Sequence, residues 1–378
     1  MKRATNPTPD PDGGTVRPVI LHKGRGATAN VEHRFALDSR DAFDDGWATE
    51  DEDGTHRLKT IVTPEVAKSI LTRNESPDIP FDVSLNPYRG CEHGCVYCYA
   101  RPSHSFLGLS PGLDFESRLF AKVNAAELLK RELSRPNYVP EVVAVGVNTD
   151  AYQPVERELR ITRSVIEVFA QFQHPFTLIT KSALIERDID LLAELARRGL
   201  VRVALSITTL DHALARKLEP RAASPTRRLR TVQALSEAGI PVSVSVSPMI
   251  PFVNDGDLEA ILEASAKAGA TNAHFIVLRL PWELNEIFQQ WLQTHFPDRA
   301  KRVMNRVRDM HGGRDYDSRF GRRMRGEGIW SELYRQRFTR ATRTLGLNED
   351  RRALDLSQFA RPLSASSEQG QLDLFCQS

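Results

Sequence analysis

From about Phe81 the chain alternates short, continuous apolar runs with stretches whose apolar residues recur every three or four positions. The runs Phe81–Leu85, Val142–Val147, Phe176–Thr180, Val201–Ile207, Val242–Val246 and Ala273–Leu278 predict strands. The stretches Leu119–Leu133, Ile161–Phe172, Ile189–Arg198, Thr226–Ala238 and Leu258–Ala268 predict helices, with Gly199, Gly239 and Gly269 placed to end three of them. Strands that are apolar throughout belong to a sheet covered on both faces, and strands separated by helices are joined in parallel by right-handed crossovers. Six such units suit an α/β fold of the incomplete, TIM-like (β/α)6 barrel type. A doubly wound open sheet has the same periodicity and stays open as the alternative.

Outside this core the pattern weakens. Residues 1–73 read as a partly disordered N-terminal extension with frequent acids. Within it Lys59–Leu71 predicts one short helix starting near Thr63, with Pro64 in its first turn. After Pro281, Trp282–Gln293 and Arg299–Met310 predict helices. A loop over 311–328 with five glycines and five arginines follows, and Trp330–Leu345 predicts a last helix. The expected organisation is therefore an extension (1–73), a core barrel (74–281), a helical arginine-rich extension (282–347) and a flexible tail (348–378).

With 40% hydrophobic and 26% charged residues, the chain has the composition of a globular protein with ample core. No apolar run is long enough to span a membrane, and Met1–Gly14 lacks the apolar centre of a secretory signal, so a cytoplasmic location is expected. The formal net charge is only +2, but it is unevenly spread. Asp38–Leu58 holds eight acids and two bases, whereas Arg299–Arg352 holds sixteen bases, fifteen of them arginine, and seven acids.

Three of the four cysteines, Cys91, Cys95 and Cys98, stand within eight positions as C-x3-C-x2-C. Thiolates are soft ligands, and this spacing points to a metal or cluster rather than to disulfides. Structural zinc closes with four ligands, so three leave a position open for chemistry. The competing reading is a zinc site completed by His93 or His104. No second cysteine pair follows at finger spacing, and the remaining Cys376 is near the end of the chain.

In a parallel barrel the functional groups sit at the carboxyl ends of strands. Polar residues collect there: Asn148-Thr149-Asp150, Thr180-Lys181-Ser182, Ser206 with Thr208 and Thr209, Glu219-Pro220-Arg221, Asn254-Asp255 and Arg279. Taken singly, Asp150, Ser182 and Asn254 read equally as cap or turn residues.

The cysteine spacing, with an aromatic residue before the last cysteine, resembles the signature of the radical S-adenosylmethionine (SAM) enzymes. Further motifs are Asn148-Thr-Asp-Ala-Tyr-Gln-Pro-Val-Glu156, Thr180-Lys-Ser182, Arg187-Asp-Ile-Asp-Leu-Leu192, Leu218-Glu-Pro-Arg221 and Pro248-Met-Ile-Pro251 with Asn254-Asp255. Together they resemble the spore photoproduct lyase-related branch over about residues 74–345. Glu92-His-Gly94 and Ala100-Arg-Pro-Ser-His104 resemble its uncharacterised, non-sporulating subgroup.

The resemblance implies a [4Fe-4S] cluster on Cys91, Cys95 and Cys98, whose open iron chelates SAM. One electron, from a donor such as flavodoxin or ferredoxin, then yields methionine and a 5'-deoxyadenosyl radical. It implies that Tyr97 lies beside the adenine, and that Asn148, Thr149, Asp150, Lys181 and Ser206 lie near the polar groups of SAM. Lys181 is the expected carboxylate partner, with a surface salt bridge as its bland reading. One departure matters: lyases of this branch carry a hydrogen-donor cysteine near the second strand's end, and Val145–Asp150 contains none. Tyr99 is then the candidate for quenching a radical, or a residue that only packs beside the cluster.

Arg314, Arg319, Arg322, Arg323 and Arg325, interleaved with Tyr316, Phe320 and Trp330, are candidates for binding nucleic acid, against the plainer reading of a solvated face. Gln371-Leu372-Asp-Leu374-Phe375 resembles the pentapeptide that binds the bacterial DNA sliding clamp, with Gln371 for a side pocket and three apolar contacts. The expectation is a radical enzyme that abstracts hydrogen from a DNA base, in repair or modification. RNA, protein or metabolite substrates are alternatives, and so is a non-enzymatic, metal-containing clamp adaptor.

Overall fold

The structure is a computed structural model and describes residues 22–36, 58–349 and 352–362. The described chain forms β1 (Ile61–Glu65), β2 (Leu71–Arg73), β3 (Val83–Leu85) and β4 (Tyr88–Arg89) before the cysteine loop. A 3-10 turn at Arg101–Leu107 leads to α1 (Leu113–Ser117), β5 (Arg118–Lys122) and α2 (Ala125–Leu133). Next come β6 (Val143–Val145), α3 (Glu156–Leu159), α4 (Ile161–Gln171), β7 (Phe176–Thr180), α5 (Ile189–Arg197) and β8 (Val201–Ser206). The core closes with α6 (His212–Leu218), α7 (Pro225–Glu237), β9 (Val242–Met249), α8 (Leu258–Lys267) and β10 (Asn272–Val277). Then follow α9 (Leu284–His295), α10 (Pro297–Met310) and α11 (Gly328–Thr344).

The main sheet has the order β10-β9-β8-β7-β6-β3-β2. Its strands β3 and β6 to β10 run parallel, and β2 joins β3 antiparallel. Among these six parallel strands each pairs with the next in the chain, so the winding never reverses. A doubly wound sheet requires a reversal at a switch point, and that alternative falls. This is a mixed α/β fold wound in one sense, the arrangement of an incomplete (β/α)6 barrel. Its core is built from the predicted runs: Leu85, Val145, Leu178, Val203 and Val244 are fully buried with Leu129, Val165, Leu192, Val232 and Ile261 from the helices. Each such side chain contributes about 1.5–3 kcal/mol.

Two expectations fail locally. Lys59–Leu71 is not a helix, and the first residues of Leu119–Leu133 are not helical either. β1 and β5 pair in parallel, Ile61 to Arg118 through Glu65 to Lys122, and β4 adds antiparallel to β5. The β-branched Ile61-Val62-Thr63 suits a strand, and its hydrogen-bond partner lies more than fifty residues away, where periodicity cannot report it.

Residues 22–36 lie against the cysteine loop, burying Ala27 and Val31 in a second core with Val96, Leu218, Leu280, Phe288, Trp291 and Val307. The loop 311–327 is tied to both sides of the sheet. The Val277 N–H donates to the Met324 carbonyl (3.0 Å) and His311 Nε2 to that of Leu278 (2.9 Å) at the β10 edge. Arg323 pairs with Asp78 (2.6 Å), ahead of β3, and the Gly321 N–H donates to the same carboxylate (3.1 Å). Gln371, Leu372, Leu374 and Phe375 lie outside the described residues.

Candidate active site

The cysteine loop is held by backbone contacts that leave little room. A Cβ at Gly94 (φ +65°) would lie 2.6 Å from the Glu116 carboxylate, and one at Gly26 would lie 1.8 Å from the Gly94 carbonyl. Arg101, 0% exposed, donates to the carbonyls of Gly94 (3.1 Å), Cys95 (2.9 Å), Pro111 (3.1 Å) and Gly112 (2.9 Å), and to Glu116. Glu116 also accepts the N–H groups of Gly26 (2.9 Å) and Ala27 (2.8 Å), while Arg25 donates to its carbonyl (2.6 Å). A buried pair satisfied on every side is costly to break, about 3–5 kcal/mol when one partner is removed. Sequence reasoning missed this clamp. Its residues lie up to 91 positions apart, and only the Arg101-Pro-Ser-His104 motif marked any part of it.

Cys91 and Cys95 are buried and Cys98 is half-buried, and none of the three forms a disulfide among the described residues. Burial pushes the Cys95 thiol up to about 12 and Cys91 well above its ordinary value, so ligation would have to draw off their protons. Both imidazoles proposed to complete a zinc site are engaged elsewhere. His93 Nδ1 sits 3.2 Å from Asp150, and His104 Nε2 meets the Arg118 carbonyl (3.0 Å) with its ring edge-on to Phe115. Among the described residues no three His, Cys, Asp or Glu side chains converge on a single ion. The thiolates of a four-iron cluster each take a different iron, and need not converge as zinc ligands do.

The strand-end residues divide by role. Asp150 accepts Thr180 Oγ1 (2.7 Å), the Lys181 N–H (2.9 Å) and the Tyr152 N–H (2.9 Å), joining the ends of β6 and β7. Burial alone would raise its pKa; the His93 pairing and these donors outweigh it and hold the carboxyl well below the usual range. Thr149 donates to the Gly90 carbonyl (2.6 Å), and Gln153, inside the Asn148–Glu156 motif but not singled out there, bonds Gly90, Thr149 and the Glu92 N–H. Both brace the loop. Ser182 caps the turn that follows it, and Asn254 ties Ile250, Thr208 and Pro248 together, so the bland readings suit these two. Asn148 is exposed, its N–H bound to Asn86 (2.8 Å).

Tyr97 is buried, its hydroxyl in contact with Glu219 and 3.1 Å from Thr208. Glu219 further accepts Thr208 (2.6 Å) and the buried Arg228, whose guanidinium also reaches the Ser206 carbonyl (2.8 Å). Burial would raise the Glu219 pKa, but Arg228, Lys181 and the hydroxyls bring it down to about 2. The Lys181 ammonium lies 5.7 Å from the Tyr97 ring centre. Burial acts to lower its pKa, and Cys95 and Glu219 reverse the sign. Among the described residues it makes no hydrogen bond or ion pair. Tyr99 is 46% exposed, its hydroxyl donating to the Val147 carbonyl and its ring covered by the Arg279 guanidinium at 4.5 Å.

The sequence matches the Radical SAM superfamily over residues 85–264. An uncharacterized protein of Mycobacterium tuberculosis is 37% identical over 235 residues, 62% of this chain and 68% of that protein. The chain belongs to the radical SAM superfamily. A Radical SAM Nalpha-GlyT isomerase of Pseudomonas phage M6 is 28% identical over 52% of this chain and 38% of its own length. Spore photoproduct lyase with bound AdoMet and dinucleoside spore photoproduct shares the fold at a TM-score of 0.53 and 16% identity, over 76% of this chain and 80% of that one.

As a radical SAM enzyme the protein works with a [4Fe-4S] cluster, SAM and a reductant, and the adaptor reading is set aside. Among the described residues no helix is long and apolar enough to cross a membrane. The five loop arginines are not equivalent. Arg319 pairs with Asp317 (2.5 Å), Arg322 with Glu327 (2.8 Å) and Arg323 with Asp78 (2.6 Å). Arg314 and Arg325 are exposed and unpaired among the described residues.

Proposed function

We propose that Cys91, Cys95 and Cys98 hold the cluster, that Lys181 receives the SAM carboxylate, and that the substrate is a DNA base. The observation that carries the substrate reading is that the arginine loop hangs on the end of β10, on the rim that faces the cysteine loop. The fold shared with a lyase solved with a dinucleoside lesion supports the same reading.

When bound, the cluster and SAM supply a 5'-deoxyadenosyl radical that takes a hydrogen atom. The chain's own residues orient and shield. Arg101 and Glu116 fix the loop backbone, and Thr149 and Gln153 hold Gly90 beneath it. Tyr97 is aligned through Glu219 and Thr208, and the Lys181 ammonium offers a charge that makes no hydrogen bond or ion pair among the described residues. A carboxylate there gains a charge-assisted bond of about 1.5–3 kcal/mol.

The segment where lyases of this branch carry a hydrogen-donor cysteine includes Val147, and the hydroxyl that meets its carbonyl belongs to Tyr99. We assign Tyr99 as the hydrogen donor to the product radical. The tyrosyl radical so formed is restored by one electron and one proton, the electron coming from the reductant. Anaerobic reconstitution tests the cluster reading. About four irons per chain and reductant-dependent 5'-deoxyadenosine are expected, both lost in Cys95→Ala. A zinc-loaded protein inert toward SAM contradicts it.

A further inference from the structure

We propose that Arg279 is the phosphate anchor of the substrate site, taking the backbone phosphate next to the base that reacts. The proposal rests on the DNA reading above and names the group that would join the outer basic loop to the cysteine loop. Arg279 follows β10, and the two residues before it carry the arginine loop's attachments at that edge, Val277 to Met324 (3.0 Å) and Leu278 to His311 (2.9 Å). Its guanidinium carbon stands 4.5 Å from the centre of the half-exposed Tyr99 ring, and Tyr99 is one residue from Cys98.

A cation–π contact seats the guanidinium on the ring without using any of its five N–H donors. Among the described residues those donors meet no carboxylate and no carbonyl. The contrast with the loop is informative, because Arg319, Arg322 and Arg323 already have acidic partners. A guanidinium seated on an aromatic ring, half-withdrawn from water and lacking an acceptor among the described residues is suited to a bidentate anion. With Arg314 and Arg325 exposed on the loop, a strand has unpaired cations outside and one at the mouth. A base whose phosphate sits on Arg279 is then presented beside Tyr99 and the cluster loop.

The test uses the reconstituted full-length holoenzyme and fluorescent single-stranded oligothymidylate, with affinity followed against salt. Arg279→Gln should lower the slope of log affinity on log salt by about 0.7, the contribution of one single-strand phosphate. Replacing single linkages with neutral methylphosphonate should weaken the unaltered enzyme about tenfold at one position. Arg279→Gln should be insensitive there, and Arg279→Lys should recover the slope. Equal slopes and equal methylphosphonate profiles in the two proteins would overturn the anchor, even with tight DNA binding. If the unaltered enzyme binds no oligonucleotide at low salt, the DNA reading fails by itself. The anchor then stands only if inorganic phosphate protects Arg279 from phenylglyoxal modification, and falls if it does not.

Discussion

At the residue scale, the side chains around the cysteine loop are either fully engaged or conspicuously available. Glu219 is the engaged extreme: Tyr97, Thr208 and Arg228 all point at one carboxylate. Because its pKa is depressed in the fold, from the usual 4.5 to about 2, the stability it contributes is complete above pH 4.5 and is lost as pH falls toward 2. Glu219→Gln should therefore lower the melting temperature at pH 7, and the difference from the unaltered protein should shrink across that window. A gap independent of pH would show that the carboxylate's charge is not what holds Tyr97 and Arg228. Lys181 is the available extreme. Lys181→Ala should weaken SAM binding to the reconstituted protein by roughly ten- to a hundredfold, the value of one charge-assisted bond, read by equilibrium dialysis. Unchanged SAM affinity would return Lys181 to a merely electrostatic neighbour of Cys95.

At the scale of elements, the cysteine loop is only as well placed as the segments that clamp it, and the open side of the sheet only as closed as its strap. The Asp78–Arg323 pair, the Gly321 N–H and the Val277–Met324 bond carry loop 311–327 from the β10 edge to the turn before β3. Asp78→Asn should cost about 1 kcal/mol or less globally, since the pair is only partly buried. It should still accelerate amide exchange at Gly321 and Val277 while leaving β7 and β8 unchanged; uniform protection would mean the strap is held by other contacts. The six parallel strands were legible in the sequence because each is a continuous apolar run set off by a helical period. β1 and β5 were not, because short strands with exposed positions such as Ile61 and Arg118 have no period to read, and the two pair across more than fifty residues. The site divided in the same way. The cysteines and Lys181 are chemically marked, whereas Glu116 and Arg25 look like ordinary surface residues until the fold buries them.

At the scale of the whole molecule, a sheet wound in one sense presents the cysteine loop, Lys181, Tyr99 and Arg279 on one rim, with the basic loop attached to that rim's last strand. The family fixes how the radical is made; the rim determines what reaches it. The origin of the abstracted hydrogen identifies what the radical acts on. Reconstituted enzyme, SAM and reductant should be incubated anaerobically with an oligonucleotide deuterated in its bases, and the 5'-deoxyadenosine weighed by mass spectrometry. Deuterium in the 5'-deoxyadenosine, formed faster with the oligonucleotide than without it, is the predicted result. 5'-Deoxyadenosine that carries no deuterium and forms at the same rate whether or not DNA is present would contradict it.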